Sequence, residues 1–378
     1  MQDFKPRLTF YTNMPTPYQL DFFDALNRIF NLHVVYFTVR EADRQWNLST
    51  SQKDYKITVL RNGWMAKFVQ KKVSSFHYDP NINEIINADP AKYIVVNGTY
   101  WSPNVRLAIT KNFAKGKFVA YWSEPVFPVN NRIKYLLKQL ALRPVLKYTS
   151  CILAIGKNAE TGYRGYKYNK PIFQLPYNIN IGLFELKNLD TSIVDKLKST
   201  YRNQNEYIFL SSGSLIFRKG MDTLIKAFKN VPKELNAKLL IIGDGPSRAN
   251  LEELAGSGSD VVLLGFQDKE MIPYWFNLAD AFVFASRYDG WGLVINEALA
   301  AKKPVIASKE TGAAVDKLDI HNAFILDAEN VEAYTQAMIR LCSEPDLTSR
   351  FVEKTNHIRE DLSSELNAKK LYDICSNS

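Results

Sequence analysis

Two carboxylates eight residues apart, Asp289 and Glu297, flank the glycine-rich turn Gly290-Trp291-Gly292. The apolar run Ala281-Phe282-Val283-Phe284 precedes them, and apolar residues recur at helical spacing behind them through Leu293, Val294, Ala298 and Ala301. The pattern predicts a strand, a loop and a helix. Gly290 and Gly292 let the backbone approach a ligand closely, and the first helical amides, at Leu293 and Val294, have no partner within the helix. Such amides, at the positive end of the helix dipole, attract an anion. Asp289 then stands at the mouth of the site and Glu297 about two turns into the helix. Two acids separated by a ring of amides suit a ligand with hydroxyls at both ends and a phosphate in the middle, the layout of a nucleotide sugar. The same residues also read as a helix cap at Asp289 and a solvated face at Glu297.

A second group with chemistry lies upstream. The strand Tyr207 to Ser212 leads into Gly213-Ser214-Leu215-Ile216-Phe217-Arg218-Lys219-Gly220 and then a helix through Leu224, Ile225 and Phe228. The planar fork of Arg218 and the point charge of Lys219 together suit a diphosphate. Otherwise they are surface cations. Two further strand-and-glycine turns follow, Leu239 to Gly243-Asp244-Gly245 and Val261 to Gly265-Phe266.

The elements that must position these groups alternate strand and helix along the whole chain. In the first half, strands are predicted at Leu8 to Tyr11, Leu32 to Phe37, Lys56 to Leu60, Tyr93 to Gly98 and Phe118 to Trp122, with Cys151 to Gly156 as the last. The segment from Thr38 to Tyr55 reads as a loop. Ligands of open α/β sheets bind at the carboxyl ends of strands, which points to the loop Thr12 to Tyr18, to Thr99 to Ser102 and to Ser123-Glu124-Pro125. Glu124 is thus a candidate at the last of these ends, and it also reads as the start of a helix. The alternation supports two doubly wound, Rossmann-like α/β domains facing a cleft. The boundaries expected are 1–177 for the first domain, 178–205 for a polar linker and 206–359 for the second domain.

Two stretches of the first domain mix cations with apolar residues. From Asn131 to Tyr148, five cations (Arg132, Lys134, Lys138, Arg143, Lys147) alternate with Ile133, Leu136, Leu137 and Leu140. A helix broken at Pro144 is expected there, either lying on an anionic bilayer or burying one face in its domain. Gly63 to Val73 mixes aromatics and lysines in the same way and reads as a membrane contact or as a surface loop.

Composition bounds the possibilities. The 378 residues suffice for two cores, and 46% hydrophobic with 23% charged residues is ordinary for a globular protein. No apolar run approaches the roughly 20 residues of a membrane span. The opening Met1 to Arg7 carries no apolar signal core, so export is not expected. Cys151, Cys342 and Cys375 are scattered and odd in number, which argues against disulfides and a metal cluster and fits a reducing cytoplasm. The net charge of +9 implies an anionic partner, whether phosphorylated substrate, anionic lipid or nucleic acid.

Asp289-Gly-Trp-Gly-Leu-Val-Ile-Asn-Glu297, continued by Ala-Leu-Ala-Ala-Lys-Lys-Pro-Val-Ile-Ala-Ser, resembles the acid-x7-acid signature of the family 4 retaining glycosyltransferases of bacterial surface-glycan type, which have the GT-B fold. The resemblance covers the second domain closely and the first in outline. It implies that Asp289 contacts the donor sugar, that Glu297 binds the ribose hydroxyls, and that Arg218 and Lys219 hold the leaving diphosphate. Gly213, Ser214, Gly243, Phe266 and the segment Gly290 to Val294 would complete the donor site, with Phe266 at the base. It also implies a crossing between domains near Pro176-Tyr177-Asn178, and closing helices, from about 360 to 378, that return to the first domain. The chain differs from the family pattern in four places: Asp289 for Glu, Ser214 for Arg, Pro15-Thr-Pro-Tyr18 for a glycine-rich first loop, and Glu124 for His, which it would replace as an acceptor-side base or hydrogen-bond partner.

The function so implied is transfer of a sugar from a nucleotide-diphosphate donor to a glycan or lipid-linked acceptor in surface-polysaccharide, lipopolysaccharide or glycolipid synthesis. The enzyme would be cytoplasmic, peripheral to the membrane, and without a cofactor. No Asp-x-Asp motif is present, so cations and helix amides would take the place of a metal. Two other readings stay open: a homologue that binds a nucleotide sugar or membrane without transferring anything, and transfer to a nucleic acid base.

Overall fold

The computed structural model describes residues 5–38, 53–61, 63–70, 73, 76–258 and 260–378. The chain forms two compact units, residues 1–177 with 364–378, and residues 178–363.

The first unit is built on a parallel sheet of seven strands: β1 (Arg7–Thr12), β2 (Asn31–Tyr36), β3 (Lys56–Val59), β4 (Tyr93–Asn97), β5 (Phe118–Ser123), β6 (Cys151–Ala154) and β7 (Ile172–Gln174). Their order is β3-β2-β1-β4-β5-β6-β7. Helices cover both faces, so the central strands are buried over most of their length, through Leu8 to Thr12, Ile94-Val95-Val96 and Cys151 to Ala154. The order reverses beside β1, where Phe10 pairs with Val34 on one side and Val95 on the other. The strand Cys151–Ala154, expected to be last, is followed by β7, whose three residues are too few to show a pattern.

The helix Arg132–Tyr148 is continuous through Pro144, where a break was expected. Leu142 and Val145 are anchored in the core on either side, and Pro144 itself is buried, which holds the helix across the missing amide. No helix begins at Glu124, because the chain stays irregular from there until Asn131 caps Arg132–Tyr148 through Ile133 and Lys134. The C-terminal helix Ser364–Ser376 returns to this unit and packs on Pro17–Ile29. An Arg28–Glu365 ion pair at 3.1 Å joins the two, and Phe30, just past the end of Pro17–Ile29, meets the Tyr372 ring at 5.5 Å. Most of the segment Thr38 to Tyr55 lies outside the described residues, as do Lys71, Lys72 and the side chains of Trp64, Met65 and Lys67 in the second basic stretch.

The second unit has six parallel strands: β8 (Tyr207–Ser212), β9 (Ala237–Ile242), β10 (Val261–Gly265), β11 (Ala281–Phe284), β12 (Val305–Ser308) and β13 (Ala323–Leu326). Their order is β10-β9-β8-β11-β12-β13. One face of the sheet, through Phe209, Leu239, Ile241, Val283 and Ile306, packs on Leu224, Phe228, Tyr334 and Met338 from two helices. The order reverses at β8, which has β9 on one side and β11 on the other, so the loops after these strands meet at one edge.

The region 178–205 is not a linker but part of this unit. Asp190 caps the helix Thr191–Tyr201, which packs through Tyr201 on Trp275, ring centroids 5.0 Å apart. Only Val194 and Leu197 of that helix are buried, so its lysine-bearing outer face gave the segment the composition of a linker. Among the described residues no helix is long and apolar enough to cross a membrane.

Candidate active site

The candidate site lies at the carboxyl edge of the second sheet, where three turns leave β8, β9 and β11. Ser212 of β8 runs into Gly213, whose amide donates to Ile242 O at 3.0 Å, and Gly243 in turn donates to Gly265 O at 2.9 Å. The Gly213, Gly243 and Gly265 turns are thereby tied in a row. Ser214 is exposed at the first, and Phe266 is exposed beyond the edge strand β10, two strands from β8.

A 3-10 turn, Phe217–Lys219, carries the two cations and ends at Gly220. Gly220 has a φ of +67°, and a Cβ there would stand 1.9 Å from Ala285 O. Only glycine fits this contact, which presses the cationic turn onto the exit of β11. Ser286 Oγ donates to Arg218 O at 3.2 Å and the Arg287 amide donates to the same oxygen at 2.8 Å.

The result is that Lys219 and Asp289 meet: Lys219 Nζ donates to Asp289 Oδ2 in a short ion pair. Arg218 lies 4.0 Å from the same carboxylate and donates to Tyr288 O at 2.6 Å. Asp289 is therefore no helix cap. The helix Leu293–Ala300 starts instead from Gly292, at φ +82°. Thr311 explains why glycine is needed, since its methyl lies 2.4 Å from where a Cβ on Gly292 would fall. The Asp289 backbone is fixed from the same side, its amide donating to Glu310 O and its carbonyl accepting from Gly312.

Glu297 is 2% exposed, which overturns the solvated-face reading. Because the helix starts at Leu293, Glu297 lies one turn into it rather than two. The Trp291 ring is buried and donates to Asn296 Oδ1 at 3.2 Å, so it braces the loop. Gly290 lies beside Gly312, where a Cβ on the latter would be 2.3 Å from Gly290 O.

Glu124 belongs to the first unit. It is exposed at the end of β5, where Tyr177 OH donates to its Oε1 at 3.1 Å.

Sequence reasoning passed over Arg287 and Asp222. Arg287 meets Asp222 through both terminal nitrogens, at 2.8 and 2.9 Å. Burial acts to raise the Asp222 carboxyl, but its bonds and attraction to Arg287 prevail and hold it below the ordinary aspartate value. Partners 65 residues apart leave no local signal in the sequence.

The two parallel-sheet, Rossmann-like α/β units have the architecture of the GT-B glycosyltransferases. Residues 194–357 match the family model described as "Glycosyl transferases group 1", and that segment is a glycosyltransferase group 1 domain. The alpha-D-kanosaminyltransferase of Streptomyces kanamyceticus is 29% identical over 164 residues, 42% of this chain and 42% of that protein. LpsE of Rhizobium meliloti, a lipopolysaccharide core biosynthesis glycosyltransferase, is 30% identical over 150 residues, 39% of this chain and 43% of that protein. The chain thus spans less than half the length of these relatives. The crystal structure of Anabaena HepE in complex with UDP and glucose superimposes with a TM-score of 0.73 at 15% identity, covering 98% of this chain and 100% of that one.

Proposed function

We propose that the chain is a retaining glycosyltransferase of family 4 that moves a sugar from a nucleotide-diphosphate donor, with UDP or GDP as the carrier, to a glycan or lipid-linked acceptor in surface-glycan or glycolipid synthesis. The observation that carries this reading is the meeting of Lys219, Arg218 and Asp289 beside the open helix start at Gly292. Two cations and one carboxylate leave one net positive charge, to which the amides of Leu293 and Val294 add their partial charges. The diphosphate sits there without a metal, and Glu297 takes the ribose hydroxyls.

Transfer breaks the bond between the sugar's anomeric carbon and the phosphate oxygen. The acceptor's hydroxyl oxygen bonds to that carbon on the same face, its proton passes to the departing phosphate, and the nucleoside diphosphate leaves. Negative charge grows on the phosphate as the bond stretches, so fixed positive groups lower the barrier more than they strengthen ground-state binding. Asp289 contacts the sugar. Glu124 hydrogen-bonds the acceptor.

The first unit supports work at the inner face of a membrane. Ile133, Leu136, Leu137 and Leu140 form one stripe of the helix Arg132–Tyr148 and are 69%, 55%, 62% and 59% exposed. The helix holds five cations and no acid. An apolar stripe flanked by cations fits an anionic lipid surface.

The test is mass spectrometry of products from a panel of UDP- and GDP-sugars with glycan and lipid-linked acceptors, with the anomeric configuration read by NMR. A product with the donor's configuration supports the reading. Neither transfer nor donor hydrolysis across the panel points instead to a binding protein.

A further inference from the structure

We infer that Arg287 is a positioning residue that holds the Arg218–Lys219 turn in its anion-binding geometry without itself touching the ligand. This rests on the placement of the diphosphate proposed above.

The Arg287 side chain reaches three separate pieces of the second unit. Its Nη1 and Nη2 grip both oxygens of Asp222, in the first turn of the helix Met221–Lys229, at 2.8 and 2.9 Å. Its Nε donates to Glu329 Oε1 at 2.9 Å, on the loop after β13. Nη1 also donates to Phe217 O at 2.6 Å, and the guanidinium lies over the Phe217 ring, 3.9 Å from its centroid. The backbone amide of Arg287 holds Arg218 O at 2.8 Å. One residue therefore binds the two carbonyls of the turn that bracket the start of the cationic pair, and ties that turn to the helix behind it.

The guanidinium is already committed. Two carboxylates neutralise it and an aromatic ring covers one of its faces, so it has little to give an incoming anion. Lys219, over the Phe284 ring at 5.1 Å, has one carboxylate partner among the described residues, Asp289, against the two of Arg287, and Arg218 is exposed. A short 3-10 turn has few internal hydrogen bonds to hold its shape, and two like charges at adjacent positions repel. An external brace supplies what the turn lacks. The fork of arginine is needed, because a lysine cannot grip both Asp222 oxygens, bond Phe217 O and stack at once.

The experiment titrates the full chain with UDP and GDP, and with uridine and guanosine as controls, by calorimetry. The variants are Arg287→Gln, Arg287→Lys, Asp222→Asn, Lys219→Gln and the double variant Arg287→Gln/Lys219→Gln. For the diphosphate that binds the wild type, we expect Arg287→Gln to weaken binding about tenfold, and Arg287→Lys and Asp222→Asn to weaken it in the same direction, with nucleoside affinity unchanged. Because Arg287 acts through the turn, the double variant should lose less than the product of the Arg287→Gln and Lys219→Gln losses. Wild-type affinity in Arg287→Gln, or losses that multiply in the double variant, would overturn the inference. So would an equal loss of nucleoside affinity, which marks general disruption. If Lys219→Gln itself binds like wild type, or the wild type binds neither diphosphate more tightly than its nucleoside, the placement of the diphosphate fails and the inference with it.

Discussion

Lys219 and Asp289, 70 residues apart in the chain, form an ion pair in which both side chains are mostly shielded, at 15% and 16% exposed. The pair joins the turn after β8 to the loop after β11, neighbouring strands at the point where the sheet order reverses. Asp289 thus partly neutralises the cation that the proposed function assigns to phosphate. Asp289→Asn should leave nucleoside diphosphate binding intact or tighter, because Lys219 is released, while turnover falls by more than about tenfold, or 1.4 kcal/mol. Calorimetry beside a rate assay checks both halves. Weakened binding with unchanged turnover would contradict the assignment.

Glu297 is buried one turn into its helix, so a hydroxyl that reaches it meets a carboxylate out of bulk water. Glu297→Gln keeps the shape and removes the charge. UDP or GDP binding should weaken by on the order of 1.5 to 3 kcal/mol, the usual contribution of a charged hydrogen bond. The corresponding 2′-deoxy nucleotide, which lacks one hydroxyl, should lose less. An equal loss for both would place the ribose elsewhere.

The apolar stripe of Arg132–Tyr148 makes a prediction of its own. Anionic vesicles should pull the protein down at low salt and release it as salt rises, since the screening length is about 10 Å at 0.1 M. Leu136→Ser/Leu140→Ser, which changes two exposed side chains, should reduce binding with little effect on melting temperature. Wild-type protein that ignores anionic vesicles at low salt would remove the idea.

His33 in β2 gives a pH signature unrelated to the site. Burial, reinforced by Lys56 and opposed by Asp89, pushes its imidazole down to about 4, and its Nε2 bonds Thr58 Oγ1 at 2.8 Å. The folded state therefore keeps His33 neutral where the unfolded chain, near 6.5, takes up a proton. Its contribution is present above about pH 6.5 and is lost as the pH falls towards 4. Melting temperature should drop across that window, and His33→Gln should flatten the drop. An unchanged slope in the variant would assign the effect to other groups.

The sequence exposed those parts of the molecule that depend on local pattern. The buried strands were readable because continuous apolar runs such as Ile94-Val95-Val96 admit few other structures, and Gly290 and Gly292 flagged their loop because glycine is costly elsewhere. What escaped was set by distant contacts. Thr191–Tyr201 looked like a linker because only two of its residues are buried, and the helix Arg132–Tyr148 crosses Pro144 because tertiary packing outweighs one missing amide. Within the site, a helix cap at Asp289 was as legible as a ligand contact until Lys219 was seen to meet it. Arg287 carries no sign in its own neighbourhood of the partners it finds at Asp222 and Glu329.

The central claim is that the leaving diphosphate is held by Arg218 and Lys219. Arg218→Gln/Lys219→Gln keeps polar bulk and removes both charges, and it should be measured for turnover of the nucleotide sugar together with circular dichroism and melting temperature. The account predicts a fall in turnover number of more than about tenfold with fold and melting temperature near wild type. A double variant that is folded and turns over at the wild-type rate would contradict it.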